Sequence, residues 1–423
     1  MGKIFAGFCQ KVYNILYSVS YKESYRMQDK DFTRKRKLCF GDLCFMILRG
    51  VKNGVQAGIN EFLKETKSEV ESYSNAAFSK ARRKINPEAF RYLSEVSVRE
   101  FYGNEKAIHT FRGFRVFAVD GTKLNLPNSE ELLEIFGSER FAGGLQAQAQ
   151  VSCMYDVLND FIVDAKIEKF NTSERILAEE HLQNFSFHEP DRDLILMDRG
   201  YPSEGLLLRF EDKAYKYVLR TNKNEFFREV RMVSEPDAII ERKCKDGRIL
   251  RTRVVTVSLK NGEKETLLTN LFDKELKPED FAEIYRLRWG IETAYDRLKN
   301  QLCTEKFSGT DSICIKQDFY ATVFLYNMLF FLESENENAL KAINKDENRK
   351  YQYKTNSSLA IMTLKANVVE LMMPSSRRKF VKTMKRIRAQ LLQCLTPIRP
   401  NRSFSRNKRR HPSVRFPQNN KFS

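Results

Sequence analysis

The sequence predicts an α/β fold, and three observations lead to that prediction. Short apolar runs typical of buried strands alternate with helical patterns between about residues 112 and 220. Alternating strand-like runs with turn signals follow, from about 221 to 280. Apolar side chains at helical spacing occupy residues 1 to about 105 and return from 278 to 331. A chain of 423 residues is long enough for two or three domains.

The middle of the chain sets the order of the predicted elements. A strand at 114–119 (FRVFAV) ends at Asp120, and a hairpin at 148–167 follows it. The next elements are a helix at 173–182, a strand at 194–197 (LILM) that ends at Asp198, a helix at 204–210 and a strand at 215–219. Strand, hairpin, helix, strand, helix, strand is the order of a ribonuclease-H-like core. A β-rich insertion is predicted next, with strands at 238–240, 250–259 and 266–271.

The N-terminal region contains two predicted helices joined by a tight turn. Residues 72–98 carry apolar side chains at roughly helical spacing, and Asn86 with Pro87 interrupts them. Polar and basic side chains are expected on the outer side of the first helix, at Ser79, Lys80, Arg82, Arg83 and Lys84. Two interpretations stay open: a helix-turn-helix that reads nucleic acid, or an ordinary helical hairpin with a solvated basic face.

The charge of the chain indicates a polyanionic partner. The formal net charge is +18, from 73 Lys and Arg against 55 Asp and Glu, and nucleic acid is the first candidate. A membrane surface or an acidic protein would satisfy the same charge. Residues 375–423 contain 15 basic and no acidic residues. This run is therefore expected to stay extended until phosphate or another anion neutralises it.

The sequence disfavours several other classes of protein. The longest apolar run, at 321–332, is shorter than the roughly 20 residues of a membrane span and predicts a buried helix. The first residues lack the apolar segment and cleavage site of a signal peptide. Eight dispersed cysteines without a CxxC pair indicate reduced thiols and no structural zinc. We therefore expect a cytoplasmic protein without a membrane partner.

Asp120 and Asp198 hold the same position relative to their predicted strands. Each is the first polar residue after a short apolar run, and ligands of α/β sheets bind beyond such strand ends. Two carboxylates brought together there repel each other unless a cation lies between them. Oxygen ligands without clustered His or Cys favour Mg²⁺ or Mn²⁺. The alternative is that each aspartate only caps the turn or helix that follows it.

A stripe of polar side chains is predicted on one helix late in the core. Tyr285, Arg288, Glu292 and Lys299 fall within an arc of roughly 60° if residues 285–299 form a single regular helix. The stripe thus contains one acid, Glu292, together with two basic side chains and a phenol. The alternative is a solvated helix whose side chains form ion pairs, such as Arg288 with Glu292.

These motifs together resemble those of a known family. The segment DGTKLNLP, which begins at Asp120, resembles the first-aspartate motif of insertion-sequence transposases, and DRGY, which begins at Asp198, resembles their second. The spacing of the polar stripe is similar to the Tyr-(2)-Arg-(3)-Glu-(6)-Lys signature of the insertion-sequence-four group of DDE transposases. The three motifs occur in order between about residues 110 and 335, and the β-rich insertion before the glutamate is also a feature of that group.

The resemblance implies a transposase of a bacterial insertion sequence, which binds terminal inverted repeats and catalyses cut-and-paste DNA transposition. Asp120, Asp198 and Glu292 would hold two Mg²⁺ ions, for which Mn²⁺ is expected to substitute. Strand cleavage and strand transfer would then proceed without a covalent enzyme intermediate. The residues expected to hold phosphates of double-stranded DNA are Tyr285, Arg288 and Lys299. A homodimer in the synaptic complex and association with the nucleoid are also expected.

Two alternatives compete with this function. One is a ribonuclease-H-like nuclease that cleaves DNA without strand transfer, and the other is a DNA-binding regulator that has lost catalysis. The predicted domain organisation is a helical DNA-binding N-terminal region (1–105), a ribonuclease-H-like core in two parts (106–220 and 281–340), a β-rich insertion between them (221–280), and a helical and basic C-terminal region (341–423).

Overall fold

The structure is a computed structural model, which describes residues 2–50, 54–67, 72–103, 108–141, 144–224, 226–258, 262–302, 304–346, 349–373 and 376–399. The helices are α1 (Gly2–Leu16), α2 (Val19–Tyr25), α3 (Phe40–Arg49), α4 (Val55–Thr66), α5 (Asn75–Arg82), α6 (Glu88–Tyr102), α7 (Glu130–Phe136), α8 (Glu174–Asn184), α9 (Glu204–Asp212), α10 (Arg228–Arg231), α11 (Pro278–Arg286), α12 (Trp289–Asp296), α13 (Ser312–Ser334), α14 (Glu337–Asn344), α15 (Ser357–Met372) and α16 (Arg377–Gln393). The strands are β1 (Arg115–Asn125), β2 (Ser138–Phe141), β3 (Gly144–Asp156), β4 (Phe161–Lys169), β5 (Asp193–Met197), β6 (Lys216–Thr221), β7 (Asp237–Lys243), β8 (Ile249–Ser258), β9 (Lys264–Thr269), β10 (Gln352–Thr355) and β11 (Leu395–Ile398).

The chain forms two compact units, and each collects segments that are far apart in sequence. The first unit comprises Met1–Ser97, Asn125–Gln148 and Leu298–Ser423, and the second comprises Val98–Leu124 and Ala149–Arg297. The three predicted acids, Asp120, Asp198 and Glu292, all belong to the second unit.

The second unit is built on a large mixed sheet, which confirms the predicted α/β class. Its strands lie in the order β2-β3-β1-β5-β6-β9-β8-β7, and β4 also pairs with β3. The pairs β1–β5 and β5–β6 are parallel, whereas β3–β4 and the pairs formed by β9 are antiparallel. Apart from α7 and β2, which lie between β1 and β3 and were not predicted, the chain order β1, hairpin β3–β4, α8, β5, α9, β6 is the predicted order of strand, hairpin, helix, strand, helix, strand.

The register of β1 against β5 positions the two aspartates. The parallel pairs begin with Arg115 opposite Asp193 and run to Ala118 opposite Leu196. Continuing this register by two residues sets Asp120 opposite Asp198. The register therefore brings Asp120 and Asp198 to the same end of the two neighbouring strands.

The prediction that β1 ends before Asp120 was wrong. The strand continues to Asn125, and its first five residues are buried whereas the next three are only partly buried. A polar run therefore marks the point where the strand leaves the core, although its backbone stays extended. Asp120 thus lies within the strand, whereas Asp198 directly follows β5.

The β-rich segment forms three antiparallel strands that extend the same sheet beyond β6. β9 pairs with β6 and β8, and β8 pairs with β7. Gly247, in the turn between β7 and β8, has a φ of 87°, which favours glycine. Buried side chains from these strands and from α11 pack on β5 and β6. The segment therefore shares its hydrophobic core with the strands that carry the aspartates.

The first unit is mainly helical, and one of its buried side chains overturns a prediction. The helical break at Asn86 and Pro87 is present between α5 and α6. Arg82, expected on the outer side, is only 2% exposed and donates to Gln317 and Asp318 at 2.9 and 3.1 Å. Local spacing could not show this, because both partners lie on α13, more than 200 residues later.

Two runs singled out in the sequence, the apolar run at 321–332 and the start of the basic run at 375–423, are helical and belong to the first unit. The apolar run at 321–332 lies in α13, whose side chains are almost all buried. Among the described residues, no helix is long and apolar enough to cross a bilayer. The start of the basic run forms α16 and is not extended as predicted, because Phe380, Met384, Ile387 and Leu391 form a buried stripe at helical spacing. Residues 400–423 of that run lie outside the described residues.

Candidate active site

The backbone of Asp120 is held by two hydrogen bonds at the edge of the sheet. Its carbonyl accepts from the Tyr295 hydroxyl at 2.6 Å and from the Ser152 hydroxyl at 3.3 Å. Its carboxylate accepts from the Gly121 amide at 2.9 Å. Asp120 is therefore oriented by groups from β3 and α12 as well as by its own strand.

The third predicted acid is brought to Asp120 by α12. Glu292 and Tyr295 lie on this helix, so the Tyr295 bond ties the helix to β1. Arg288, which is 3% exposed, places its guanidinium 3.1 Å from Glu292 and 3.7 Å from Asp120. Asp120 and Glu292, which are separated by more than 170 residues, thus share one cation.

Asp198 is held by side chains from two other elements. The Tyr285 hydroxyl donates to its carboxylate at 3.1 Å. Arg220, at the end of β6, lies 3.7 Å from the same oxygen and 3.1 Å from Glu265. The structure therefore collects the three acids, Tyr285 and Arg288 at one place in the second unit. Lys299 belongs to the first unit.

The single regular helix predicted for 285–299 was wrong. α11 ends at Arg286 and α12 begins at Trp289. Between them the amides of Leu287 and Arg288 donate three residues back, which tightens the turn. Gly290, just after this turn, packs closely, because a Cβ there would lie 3.4 Å from Tyr155 and Val157. The helix then widens to a π-helical segment, Arg297–Gln301.

Comparison with known protein families matches residues 112–328 to the transposase DDE domain, which is more than half of the chain. The chain belongs to the DDE transposase family. Comparison with curated proteins finds no match. Among solved structures, this transposase is similar to a cryo-EM structure of a piggyBac transposase synaptic complex with hairpin DNA, with a TM-score of 0.44 and 12% sequence identity over 90% of this chain and 85% of that chain.

The carboxylates of the transposase perturb one another. Burial raises the pKa of Asp120 to about 6, and the negative charges of Glu174 and Asp198 also raise it, whereas the Gly121 amide and Arg288 lower it. Burial alone would lower the pKa of Arg288, but Tyr285 and the surrounding carboxylates raise it above its usual value. The site therefore holds negative charge that Arg288 and Arg220 only partly neutralise.

The donor set of the transposase fits hard divalent cations, which DDE transposases use. Asp120, Asp198 and Glu292 supply carboxylate oxygens. Among the described residues, no group of three or more His, Cys, Asp or Glu is close enough to hold a metal ion together. Arg288 instead lies between Asp120 and Glu292. A cation that bound there would take over the neutralising role of Arg288.

A buried network behind Asp120 was not predicted. His181, which is fully buried, has Nδ1 2.7 Å from Asp164 and Nε2 3.0 Å from the Ser152 hydroxyl. Ser152 in turn donates to the Asp120 carbonyl. The network supports the orientation of Asp120 in the transposase. Sequence spacing gave no signal for it, since its members come from β3, β4 and α8.

Asp120→Asn should change the stability of the transposase in a pH-dependent way. Because the folded pKa of Asp120 is raised from 3.8 to about 6, the contribution of Asp120 to wild-type stability is greatest at low pH and is lost as the pH rises through about 6. Asparagine cannot ionise, so the variant should be up to about 3 kcal/mol more stable at about pH 7.5, and this gain should shrink below about pH 6. Urea unfolding without divalent cations measures both values. A variant less stable than the wild type at the higher pH would contradict this cause.

Proposed function

We propose that this protein is the transposase of a bacterial insertion sequence. It binds the terminal inverted repeats of its element and uses two Mg²⁺ ions, for which Mn²⁺ substitutes, to cleave and transfer DNA strands. Asp120, Asp198 and Glu292 hold these ions. The observation that supports the proposal most is that the β1–β5 register brings Asp120 and Asp198 to the same end of neighbouring strands, while Arg288 contacts both Asp120 and Glu292.

Bound at these carboxylates, two divalent ions would activate the attacking oxygen and stabilise the leaving oxygen of a phosphodiester. The protein's own part is to position the carboxylates and the DNA. Tyr295 and Ser152 hold the Asp120 backbone, and Tyr285 orients Asp198.

Arg288 and Tyr285 are proposed to change partners when cations and DNA bind. Both now contact carboxylates, at distances of 3.1–3.7 Å. Once cations neutralise those carboxylates, the guanidinium and the phenol become donors for DNA phosphates, which a planar guanidinium contacts in pairs. Lys299, from the π-helical segment, is proposed as the third phosphate ligand.

The DNA partner is supported by the charge of the chain. The net charge is +18, and α16 exposes a cluster of basic side chains, at Arg377, Arg378, Lys379, Lys382 and Lys385. Such side chains bind phosphates without reading sequence. We propose that the transposase acts as a homodimer that holds two element ends in one synaptic complex, in the cytoplasm and associated with the nucleoid.

The test is a reaction of the purified protein with Mg²⁺, target DNA and a DNA that carries the repeats flanking its own gene. We expect cleaved ends and joined products from the wild type, and neither from Glu292→Gln. Glu283→Gln, an exposed glutamate on α11, is the matched control and should react like the wild type.

Each other outcome has a definite meaning. Equal cleavage by the wild type and Glu292→Gln would overturn the site. Cleavage without joined products would favour the nuclease that lacks strand transfer. Full biological function in Asp120→Ala would favour a regulator without catalysis.

A further inference from the structure

We propose that Glu174 is a fourth carboxylate of the metal site and shares a divalent cation with Asp120. This inference rests on the proposed function, because it adds a residue to the same site. Glu174 is the first residue of α8, a helix to which the sequence assigned no chemical role, and its side chain is exposed to solvent.

The first evidence is the space above Gly121, the residue after Asp120. A Cβ built there would lie 2.4 Å from a Glu174 carboxylate oxygen and 2.6 Å from the Gln150 amide nitrogen. Gln150 donates to that same carboxylate oxygen at 3.1 Å. The Glu174 carboxylate therefore lies directly against the backbone that carries Asp120. A side chain at position 121 would displace this carboxylate.

The second evidence connects α8 to the loop that follows Asp198. Arg175, next to Glu174, donates to the Gly200 carbonyl at 2.7 Å. Tyr201, in the same loop, is 1% exposed, and its hydroxyl has no hydrogen-bond partner among the described residues. A buried hydroxyl without a partner is costly. Its presence indicates that a partner arrives when the site is filled.

The surroundings of Tyr201 identify what that partner is. The Tyr201 amide donates to the Asp198 carbonyl at 3.2 Å, and the carbonyl of the preceding Gly200 accepts from Arg175, beside Glu174. The Tyr201 loop thus connects Asp198 to the helix that carries Glu174. A cation that draws these two carboxylates together would give Tyr201 an oxygen to donate to, either a carboxylate oxygen or a water bound to the ion.

The negative charges of Glu174 and Asp120 also favour a bound cation. Like charges close together repel each other unless a cation lies between them, and the carboxylates of Glu174 and Asp120 both lie against Gly121. An accessible carboxylate beside a partly neutralised one is suited to bind a hard divalent cation. Glu174 therefore adds an oxygen ligand from α8, an element that carries none of the three predicted acids.

The experiment measures Mn²⁺ binding to the full chain without DNA, by the loss of the free Mn²⁺ electron paramagnetic resonance signal. We expect Glu174→Gln to weaken Mn²⁺ binding about 10-fold or more. Glu180→Gln, on the same helix but paired with Lys166, is the matched control and should bind like the wild type. Asp120→Asn should abolish this binding.

Two further variants separate a ligand role from a folding defect. Gly121→Ala keeps every charge but displaces the Glu174 carboxylate, so it should weaken Mn²⁺ binding as Glu174→Gln does. Tyr201→Phe removes the hydroxyl without a partner, so it should raise the Tm of the metal-free protein and weaken Mn²⁺ binding. Mn²⁺ should also raise the Tm of each variant less than it raises the Tm of the wild type. This result would agree with the expected loss of Mn²⁺ binding in both variants.

The outcomes distinguish this inference from the proposed function. If Asp120→Asn loses Mn²⁺ binding while Glu174→Gln binds like the wild type, the role of Glu174 is wrong and the three-acid site stands. If the wild type and Asp120→Asn bind Mn²⁺ equally, the proposed metal site itself is wrong.

Discussion

Asp198→Asn is expected to lower the rate of DNA cleavage by about 10³-fold or more while DNA binding changes little. A metal ligand contributes several kcal/mol to the stabilisation of the transition state, and roughly 4 kcal/mol corresponds to about 10³-fold. Asparagine keeps the size of the side chain and can still pair with Tyr285, which now donates to Asp198 at 3.1 Å. The folded protein and its basic surface should therefore be unchanged.

Cleavage of end DNA in Mg²⁺ and DNA binding by fluorescence anisotropy measure the two effects separately. Asp212→Asn, at an exposed aspartate paired with Arg248, is the matched control and should retain wild-type cleavage. An Asp198→Asn protein that cleaves at more than a tenth of the wild-type rate would remove Asp198 from the catalytic set. A parallel loss of DNA binding would show that the substitution acts through the fold.

Arg115→Met is expected to destabilise the second unit by about 3–5 kcal/mol, because the buried Asp193 carboxylate loses its arginine and keeps only the His188 ring and the Glu189 amide as partners. Arg115 is 1% exposed and Asp193 is fully buried. The guanidinium donates to Asp193 at 2.7 Å, to Glu189 at 2.8 Å and to the Phe187 carbonyl at 2.6 Å.

The Arg115–Asp193 ion pair also affects the position of the catalytic aspartates. Arg115 and Asp193 are the first register pair of β1 and β5, and Asp120 and Asp198 each follow five residues later in sequence. The ion pair thus disfavours a shifted register, which would separate the two catalytic aspartates. Arg115→Met should lower cleavage as well as stability.

Urea unfolding followed by circular dichroism measures the loss of stability. The double variant Arg115→Met with Asp193→Leu should recover much of it, since replacing both partners removes the unpaired charge. Arg112→Met is the control, because its ion pair with Asp280 leaves the arginine side chain 45% exposed, and it should cost less than about 1 kcal/mol. A loss for Arg115→Met no larger than for Arg112→Met would contradict the role of burial.

Much of the fold could be predicted from sequence because it depends on local patterns. The apolar runs before Asp120 and Asp198 are buried strands β1 and β5, and they are short because only a few residues of each cross the core. The turn at Gly247 could be predicted for a similar reason, since its conformation is set within a few residues. The spacing of Tyr285, Arg288 and Glu292 indicated a shared site, although the regular helix inferred from it was wrong.

What the sequence determined by itself is therefore the α/β class, the order of the elements and the residues that resemble the family motifs. Only the tertiary structure decided which charges are buried and which side chains meet. Arg82 pairs with a residue 236 positions later, and His181, Tyr295 and Glu174 reach the backbone around Asp120 from other elements. The physical reason is that periodicity records whether a side chain faces the core, whereas a buried polar group is stable only beside a partner that chain folding brings from far away.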